Sequence, residues 1–331
     1  MRVLFCREWF TRELAWDALA PLLPGWELAC CPMDQVIAHL DGADVVCPFG
    51  AAVGRDVLEA GEFGLVHQFG VGVERIDVAS ATELGVWVAR VPGEESGNAD
   101  SVAELAVLHL LALVKRLDEA RAALAEGRWM ERPAGGTLRG MRVVIVGLGA
   151  IGTSVAHRLA AFGAVLDGVR AHPELAGPAA VGQVVAPGEL CSVLATADAV
   201  ICCAMYDGSN RGMFGPAEFA AMKPGTVFVN VARGGLVDES ALLAALTAGH
   251  LRGAGLDVQA SEPADPAAPL LRHPRVIATP HVAGLTTGMF WGTGELFAAS
   301  LQQWATGAPP RWPVNEVKSP RHRSAAPARP C

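Results

Sequence analysis

Gly147-Leu148-Gly149-Ala150-Ile151-Gly152 stands between an apolar run, Val143-Val144-Ile145-Val146, and a helical run over residues 153–162. A G-x-G-x-x-G on its own says little, because glycine-rich turns are common. The strand before it and the helix after it make it a dinucleotide-binding turn. Its glycines permit a tight turn and close backbone approach, and the N–H groups that open the helix are directed at a pyrophosphate. The alternatives are a ligand-free βα turn and another nucleotide-like cofactor.

Working outward, strand-type runs at 142–146, 165–169, 199–204, 226–230, 253–258 and 276–278 alternate with helical stretches. One of those helices, 239–248, stops at Gly249, a common C-terminal residue. The first third of the chain has the same rhythm, with strand candidates at 3–6, 26–30, 44–47, 65–69 and 86–89 and helices at 13–23 and 55–60. Regular alternation of this kind predicts mainly parallel sheets with helices on both faces. The fold class is therefore α/β, and residues 1 to about 95 read as one such unit. Between the two series, Ser101-Val102-Ala103-Glu104 reads as a capping box opening one helix that runs to about Glu126. At about 1.5 Å per residue such a helix is some 38 Å long, enough to cross between domains or form a subunit interface. A loop over 127–140 follows it, and a last helix is expected over 288–306.

The chain has 331 residues, 51% of them apolar and 18% charged, a balance that forms cores rather than disordered polymer. Its net charge is −8, which disfavours a nucleic-acid partner. Residues 318–331 carry Lys318, Arg321, Arg323 and Arg329 with no acid, together with three prolines, and read as a disordered basic tail. The eight cysteines include the adjacent pairs Cys30-Cys31 and Cys202-Cys203 and form no C-x-x-C. Neighbouring strand side chains face opposite ways, so neither pair readily ligates one ion, and no metal site is expected. Free thiols of this kind suit a reducing compartment. The start lacks a signal-peptide apolar region, and the most apolar helix candidate, 102–114, is interrupted by Glu104 and His109. The expectation is a cytoplasmic protein with no membrane partner.

An NAD-selective site carries an acid about 18 to 20 residues past the glycine motif, accepting hydrogen bonds from the ribose. Eighteen residues after Gly152 stands Arg170, which cannot accept those bonds but suits a 2′-phosphate, while Asp167 falls inside the strand. NADP(H) is therefore favoured over NAD(H), the alternative being that Arg170 is a surface charge.

Three later segments hold candidate chemistry: Asn230 to Gly235, Asp257 to Pro263, and Thr279 to Gly284. Arg233 for a carboxylate, His281 for proton transfer and Glu262 to hold that histidine make a coherent set for carbonyl reduction. Singly, each has a plainer reading as an ion-pair former, a loop acid and a turn histidine. His39, His67, His109, His157, His172, His250, His273 and His322 lack such context and read as ordinary surface or core residues.

With these segments in view the chain resembles the D-isomer-specific 2-hydroxyacid dehydrogenase family over nearly its whole length. The residues carrying the resemblance are Gly70-Val71-Gly72-Val73 with Ile76-Asp77, Ser101 to Glu104, the glycine motif, Asn230 to Asp238, and Pro280-His281. The resemblance implies two Rossmann- or flavodoxin-like doubly wound parallel-sheet domains, a discontinuous substrate-binding catalytic domain, 1–97 plus 285–317, and an NAD(P)-binding Rossmann domain, 98–284, with a cleft between them, and a homodimer. It implies that Arg233 holds the substrate's carbonyl and carboxylate, that His281 protonates the developing alkoxide, and that Glu262 orients His281 and raises its pKa. Val71 and Gly72 offer backbone N–H groups to the carboxylate, Asp257 contacts the nicotinamide carboxamide, and Val102 packs near the cofactor. Gly147, Gly149, Ala150, Ile151, Gly152, Arg170, Met205, Ala232 and Gly284 complete the cofactor-binding set.

The chain departs from the family where relatives have a proline and then a threonine after the fourth Rossmann strand; here Met205 and Asn210 stand. Phe49, in Pro48-Phe49-Gly50, and Trp291 are candidate pocket walls, with core packing as the alternative. The implied function is NAD(P)-dependent hydride transfer between nicotinamide and C2 of a small 2-oxo or D-2-hydroxy acid, glyoxylate- or hydroxypyruvate-like, or a phosphorus-containing analogue. The alternatives are a phosphite or similar small-anion dehydrogenase and a non-catalytic dinucleotide-sensing protein. Formate enzymes of this superfamily carry glutamine where Glu262 stands, which argues against formate.

Overall fold

The computed structural model describes residues 1–7, 19–129, 134–175 and 177–321. The helix expected over 13–23 falls mostly, and His322 wholly, outside the described residues. The chain divides into two compact units, Met1–Asn98 with the residues from Thr286 on, and Ala99–Leu285.

The first unit is a parallel sheet of β1 (Arg2–Phe5), β2 (Glu27–Cys30), β3 (Val45–Cys47), β4 (Leu65–Gln68) and β5 (Trp87–Arg90), ordered β2-β1-β3-β4-β5. The inner strands are short and almost wholly buried, as expected of a parallel sheet covered on both faces. Helices α1 (Arg55–Ala60) and α2 (Val78–Glu83) connect strands on one side, and the Asp77 carboxylate caps α2 by accepting the Ser80 N–H at 3.0 Å. The C-terminal segment returns to this unit. There Asn315 Oδ1 accepts the Val88 N–H at 2.8 Å, and its amide donates to the Val86 carbonyl at 3.0 Å.

The second unit holds two helices, α3 (Asn98–Lys115) and α4 (Leu117–Ala125), ahead of its sheet. Its strands and helices run β6 (Arg142–Val146), α5 (Ala150–Ala161), β7 (Val165–Val169), β8 (Val181–Val185), α6 (Leu190–Leu194), β9 (Ala199–Cys202), α7 (Pro216–Ala221), β10 (Thr226–Asn230), α8 (Glu239–Thr247), β11 (Leu251–Leu256) and β12 (Val276–Ala278). The order is β12-β11-β10-β9-β6-β7-β8, all parallel. The chain leaves β6 toward β7 and β8, then comes back to β9 on the other side. This reversal places the carboxyl end of β6 at the point where open α/β sheets bind ligands. Alternate β6 residues face opposite layers. Val144 and Val146 join a core with Phe214, Phe219 and Phe228, while Val143 and Ile145 meet Ala103, Ala106 and Leu110 of α3 and Val155 and Leu159 of α5. A final helix, α9 (Thr287–Ala305), belongs to the first unit and packs Phe297 against Phe5, His67 and Phe69.

Three expectations are corrected. The single helix to Glu126 is two, broken at Arg116, whose backbone is left-handed at φ +56°. The Gly136 N–H takes the Val114 carbonyl at 2.8 Å, which ends the intrahelical ladder, and Arg116 pairs with Glu119 in the next turn. Ser101 is no cap, since α3 already begins at Asn98 and Ser101 is buried within it. The basic tail is not disordered from Lys318. Arg321 donates to the carbonyls of Leu58 and Gly61, and its N–H reaches the Gly85 carbonyl at 2.7 Å. The strand β8 is an addition, where Gly182 and polar Gln183 interrupt the hydrophobic pattern.

Candidate active site

Apart from Val102 on α3, every segment with expected chemistry in the second unit follows the carboxyl end of a strand. After β6, Gly147 turns at φ +95°, and a Cβ there would lie 2.6 Å from the Ala204 backbone. At Gly152 a Cβ would fall 1.9 Å from the Gly147 carbonyl oxygen, so only glycine closes the turn. Gly149 differs: it is the N-cap of α5 and a Cβ there meets nothing within 4 Å. The open space beside it adjoins the first turn of α5, entered through Ala150 and Ile151, whose N–H groups have no intrahelical acceptor. This cradle fits a dinucleotide pyrophosphate. Val102 is buried on α3 against the same layer.

Arg170 directly follows β7 and its N–H donates to the Val185 carbonyl at 3.1 Å. Asp167 lies inside the strand as expected, buried, accepting from Arg142 Nη1 at 2.6 Å and from the Gln183 N–H. After β9, Met205 is 77% exposed, and its carbonyl accepts the Asn210 amide at 2.7 Å, so the departing loop is closed by its own hydrogen bonds.

The Asn230 side chain brackets Arg233 by donating to the Arg233 carbonyl and accepting the Ala232 N–H, both at 3.0 Å. Arg233 Nη1 donates to the Ala232 carbonyl at 2.8 Å. Glu262 Oε2 lies 2.8 Å from His281 Nδ1, and Oε1 accepts the Gln259 N–H at 3.2 Å. Burial pushes the Glu262 carboxyl up. The hydrogen bond and charge of His281, the Gln259 N–H and the Arg233 charge outweigh it and hold the group below the usual glutamate range. With Nδ1 on Glu262, Nε2 of His281 is the atom left to exchange a proton with a ligand.

His281 has a left-handed backbone, φ +54°, tied by its N–H to the Asp257 carbonyl at 2.7 Å. The Asp257 side chain, expected to serve the cofactor, also builds this loop. It is 1% exposed and accepts Thr279 Oγ1 at 2.6 Å and the N–H groups of Val282 and Ala283 at 3.0 and 2.9 Å. Oδ2 makes one of these bonds and keeps acceptor capacity. Gly284 is half-buried at the loop's end. Thr279, Gln259, which donates to the Thr279 carbonyl at 3.2 Å, and Glu239, which accepts the Ala260 N–H at 2.7 Å, were not singled out from sequence. Their partners lie about 20 residues away, and no local pattern marks them.

In the first unit, Val71 and Gly72 stand in the turn after β4, and their N–H groups have no hydrogen-bond acceptor among the described residues. Phe49, at φ +44°, packs 6.2 Å from the Phe69 ring with the Arg7 guanidinium 5.7 Å over its face. Trp291 is 56% exposed, which removes the core reading for that residue. No cluster of His, Cys, Asp and Glu suited to a metal occurs among the described residues, and no described helix is long and apolar enough to cross a membrane.

The doubly wound sheet and the glycine cradle define a dinucleotide-binding α/β protein, with Arg233, Glu262 and His281 gathered after its strand ends. The chain belongs to the D-isomer specific 2-hydroxyacid dehydrogenase family, whose NAD binding domain matches residues 107–283. It is 34% identical over 266 residues to the D-3-phosphoglycerate dehydrogenase of Archaeoglobus fulgidus, covering 80% of this chain and 49% of that one. Identity to the Mycobacterium bovis enzyme of the same name is 38%, over 76% of this chain and 47% of that one. The chain thus spans about half the length of these relatives. A crystal structure of a Thermus thermophilus protein superposes with a TM-score of 0.83 at 29% identity, covering 95% of this chain and all of that one.

Proposed function

We propose that the protein is an NAD(P)-dependent dehydrogenase that interconverts a small 2-oxo acid and the corresponding D-2-hydroxy acid. The observation that carries this is the 2.8 Å contact of Glu262 with His281 Nδ1 beside Arg233, at the same sheet edge as the glycine cradle. When bound, the nicotinamide supplies or takes up the hydride at C2. Arg233 binds the carboxylate and carbonyl of the substrate. His281 Nε2 gives a proton to the carbonyl oxygen in reduction and recovers it in oxidation, and Glu262 holds the ring through Nδ1. Val71 and Gly72 N–H groups serve the carboxylate, Phe49 and Trp291 bound the substrate's other end, and Asp257 Oδ2, Ala232, Met205 and Gly284 serve the nicotinamide side.

Arg170 supports a preference for NADP(H), since a guanidinium at the tip of β7 neutralises a 2′-phosphate and offers the ribose no acceptor. A panel of glyoxylate, hydroxypyruvate, pyruvate and longer 2-oxo acids, assayed by loss of nicotinamide absorbance with NADPH and NADH, tests both points. Turnover of at least one acid, with a higher kcat/KM for NADPH, is expected. Turnover with clear NADH preference overturns the Arg170 assignment, and tight cofactor binding with no turnover overturns the enzyme.

The protein is further proposed to be a cytoplasmic homodimer. All seven described cysteines are free, and α4 buries none of its residues within the chain while exposing Leu117 and Leu124. Light scattering after size exclusion is expected to give twice the 34.5 kDa chain mass; a monomer rejects the dimer.

A further inference from the structure

We propose that His109 is a positioning residue for the loop carrying His281, acting through the hydroxyl of Thr279. The functional part rests on the reading of His281 as proton donor; the structural part stands without turnover.

His109 is buried on α3, and its ring lies on Gly255 of β11, where a Cβ would stand 2.7 Å from His109 Cβ and 3.0 Å from Nδ1. Its Nε2 is 3.5 Å from Thr279 Oγ1, and that hydroxyl is 2.6 Å from Asp257 Oδ1. A hydroxyl has one proton, and the short contact to the carboxylate takes it. Thr279 therefore meets His109 as an acceptor, which puts the imidazole proton on Nε2. Nδ1 becomes a bare acceptor, buried with no hydrogen-bond partner among the described residues. Burial holds the imidazole pKa below its ordinary value against the opposing pull of Asp257, in keeping with a neutral ring of one tautomer.

A buried imidazole with one unsatisfied nitrogen carries a desolvation cost that an apolar side chain would not. What the histidine adds is direction. Its Nε2–H occupies the oxygen of Thr279 and leaves that hydroxyl one use, to donate to Asp257. Asp257 in turn receives the Val282 and Ala283 N–H groups, and its carbonyl receives that of His281. The helix thereby reaches the His281 backbone through three successive hydrogen bonds.

The test compares H109L, H109Q and H109N with the parent chain by amide hydrogen exchange of Val282 and Ala283 and by steady-state kinetics. Glutamine places an N–H near the position of Nε2; asparagine does not reach it. In H109L and H109N the two amides are expected to exchange roughly tenfold faster and kcat to fall by about the same factor, with cofactor KM unchanged, as loss of one hydrogen bond predicts. H109Q is expected to restore both. Adding H109L to T279V should cost nothing further, because the route is already cut. Unchanged exchange in H109L and H109N, an H109Q as impaired as H109L, or additive effects with T279V each overturn the proposal. If H109L does not fold, H109N against H109Q decides it. If the parent turns over no 2-oxo acid, the exchange data still decide the positioning while the proposed activity fails separately.

Discussion

His281 adopts a backbone conformation that costs a non-glycine residue about 1–3 kcal/mol, and it persists because the Asp257 carbonyl and carboxylate hold the chain on either side. The result is a ring with Nδ1 on Glu262, which leaves Nε2 for the proposed proton transfer. Replacing His281 by alanine removes the proposed proton donor, so kcat should fall roughly 10²- to 10⁴-fold while NAD(P)H affinity, measured by fluorescence titration, stays within a small factor. Arg233→Ala should in addition raise KM for the 2-oxo acid by about 10- to 100-fold, the worth of a hydrogen bond to a charged partner. Full activity in either variant rejects the assigned roles. The spacing of Arg233, Glu262 and His281 was visible in the sequence, because each residue sits in a segment directly after a strand. From sequence Asp257 reads only as a cofactor contact, and its part as the clamp of the His281 loop has no local signal. That part depends on β11 and β12 lying side by side.

At the scale of elements, the βα turn separates two jobs that one glycine-rich string leaves merged. Gly152 is required by the protein itself, since an added methyl collides with backbone, whereas Gly149 faces open space. Gly152→Ala is expected to lower the melting temperature and to weaken NAD(P)H binding together. Gly149→Ala should leave the melting temperature unchanged while the dissociation constant rises at least about tenfold, within the usual cost of overpacking against a ligand. Equal loss of stability in both variants would contradict the cradle at Gly149. Elsewhere the periodic pattern predicted where elements exist better than where they end. The helix across Arg116 is continuous as a pattern, and only the Gly136 N–H arriving at the Val114 carbonyl ends it.

For the molecule as a whole, acid stability should be set in part by His67, fully buried on β4 against Phe297 of α9. Burial lowers its pKa from 6.5 to about 4, the Gln68 carbonyl opposing that slightly. The unfolded chain binds this proton more readily, so the contribution is complete above pH 6.5 and lost as pH falls toward 4. It amounts to about 3 kcal/mol at roughly 1.36 kcal/mol per unit. Urea titrations between about pH 7 and 4 should show that decline in the parent and a flatter profile in His67→Phe; identical slopes would remove His67 as the cause. The net charge of −8 says nothing of this group, nor of the local positive potential at α5, Arg170 and Arg233.

The sequence by itself determined the two α/β series, the dinucleotide turn and the Arg-Glu-His set, because hydrophobic period and motif spacing are local quantities. The tertiary structure decided which carboxylate clamps the His281 loop, where the long helix breaks, that Arg321 is anchored to Leu58 and Gly61, and that a buried imidazole on α3 meets Thr279 170 residues later. Those are long-range pairings of polar groups, each satisfied only once the sheet has brought distant segments to one edge.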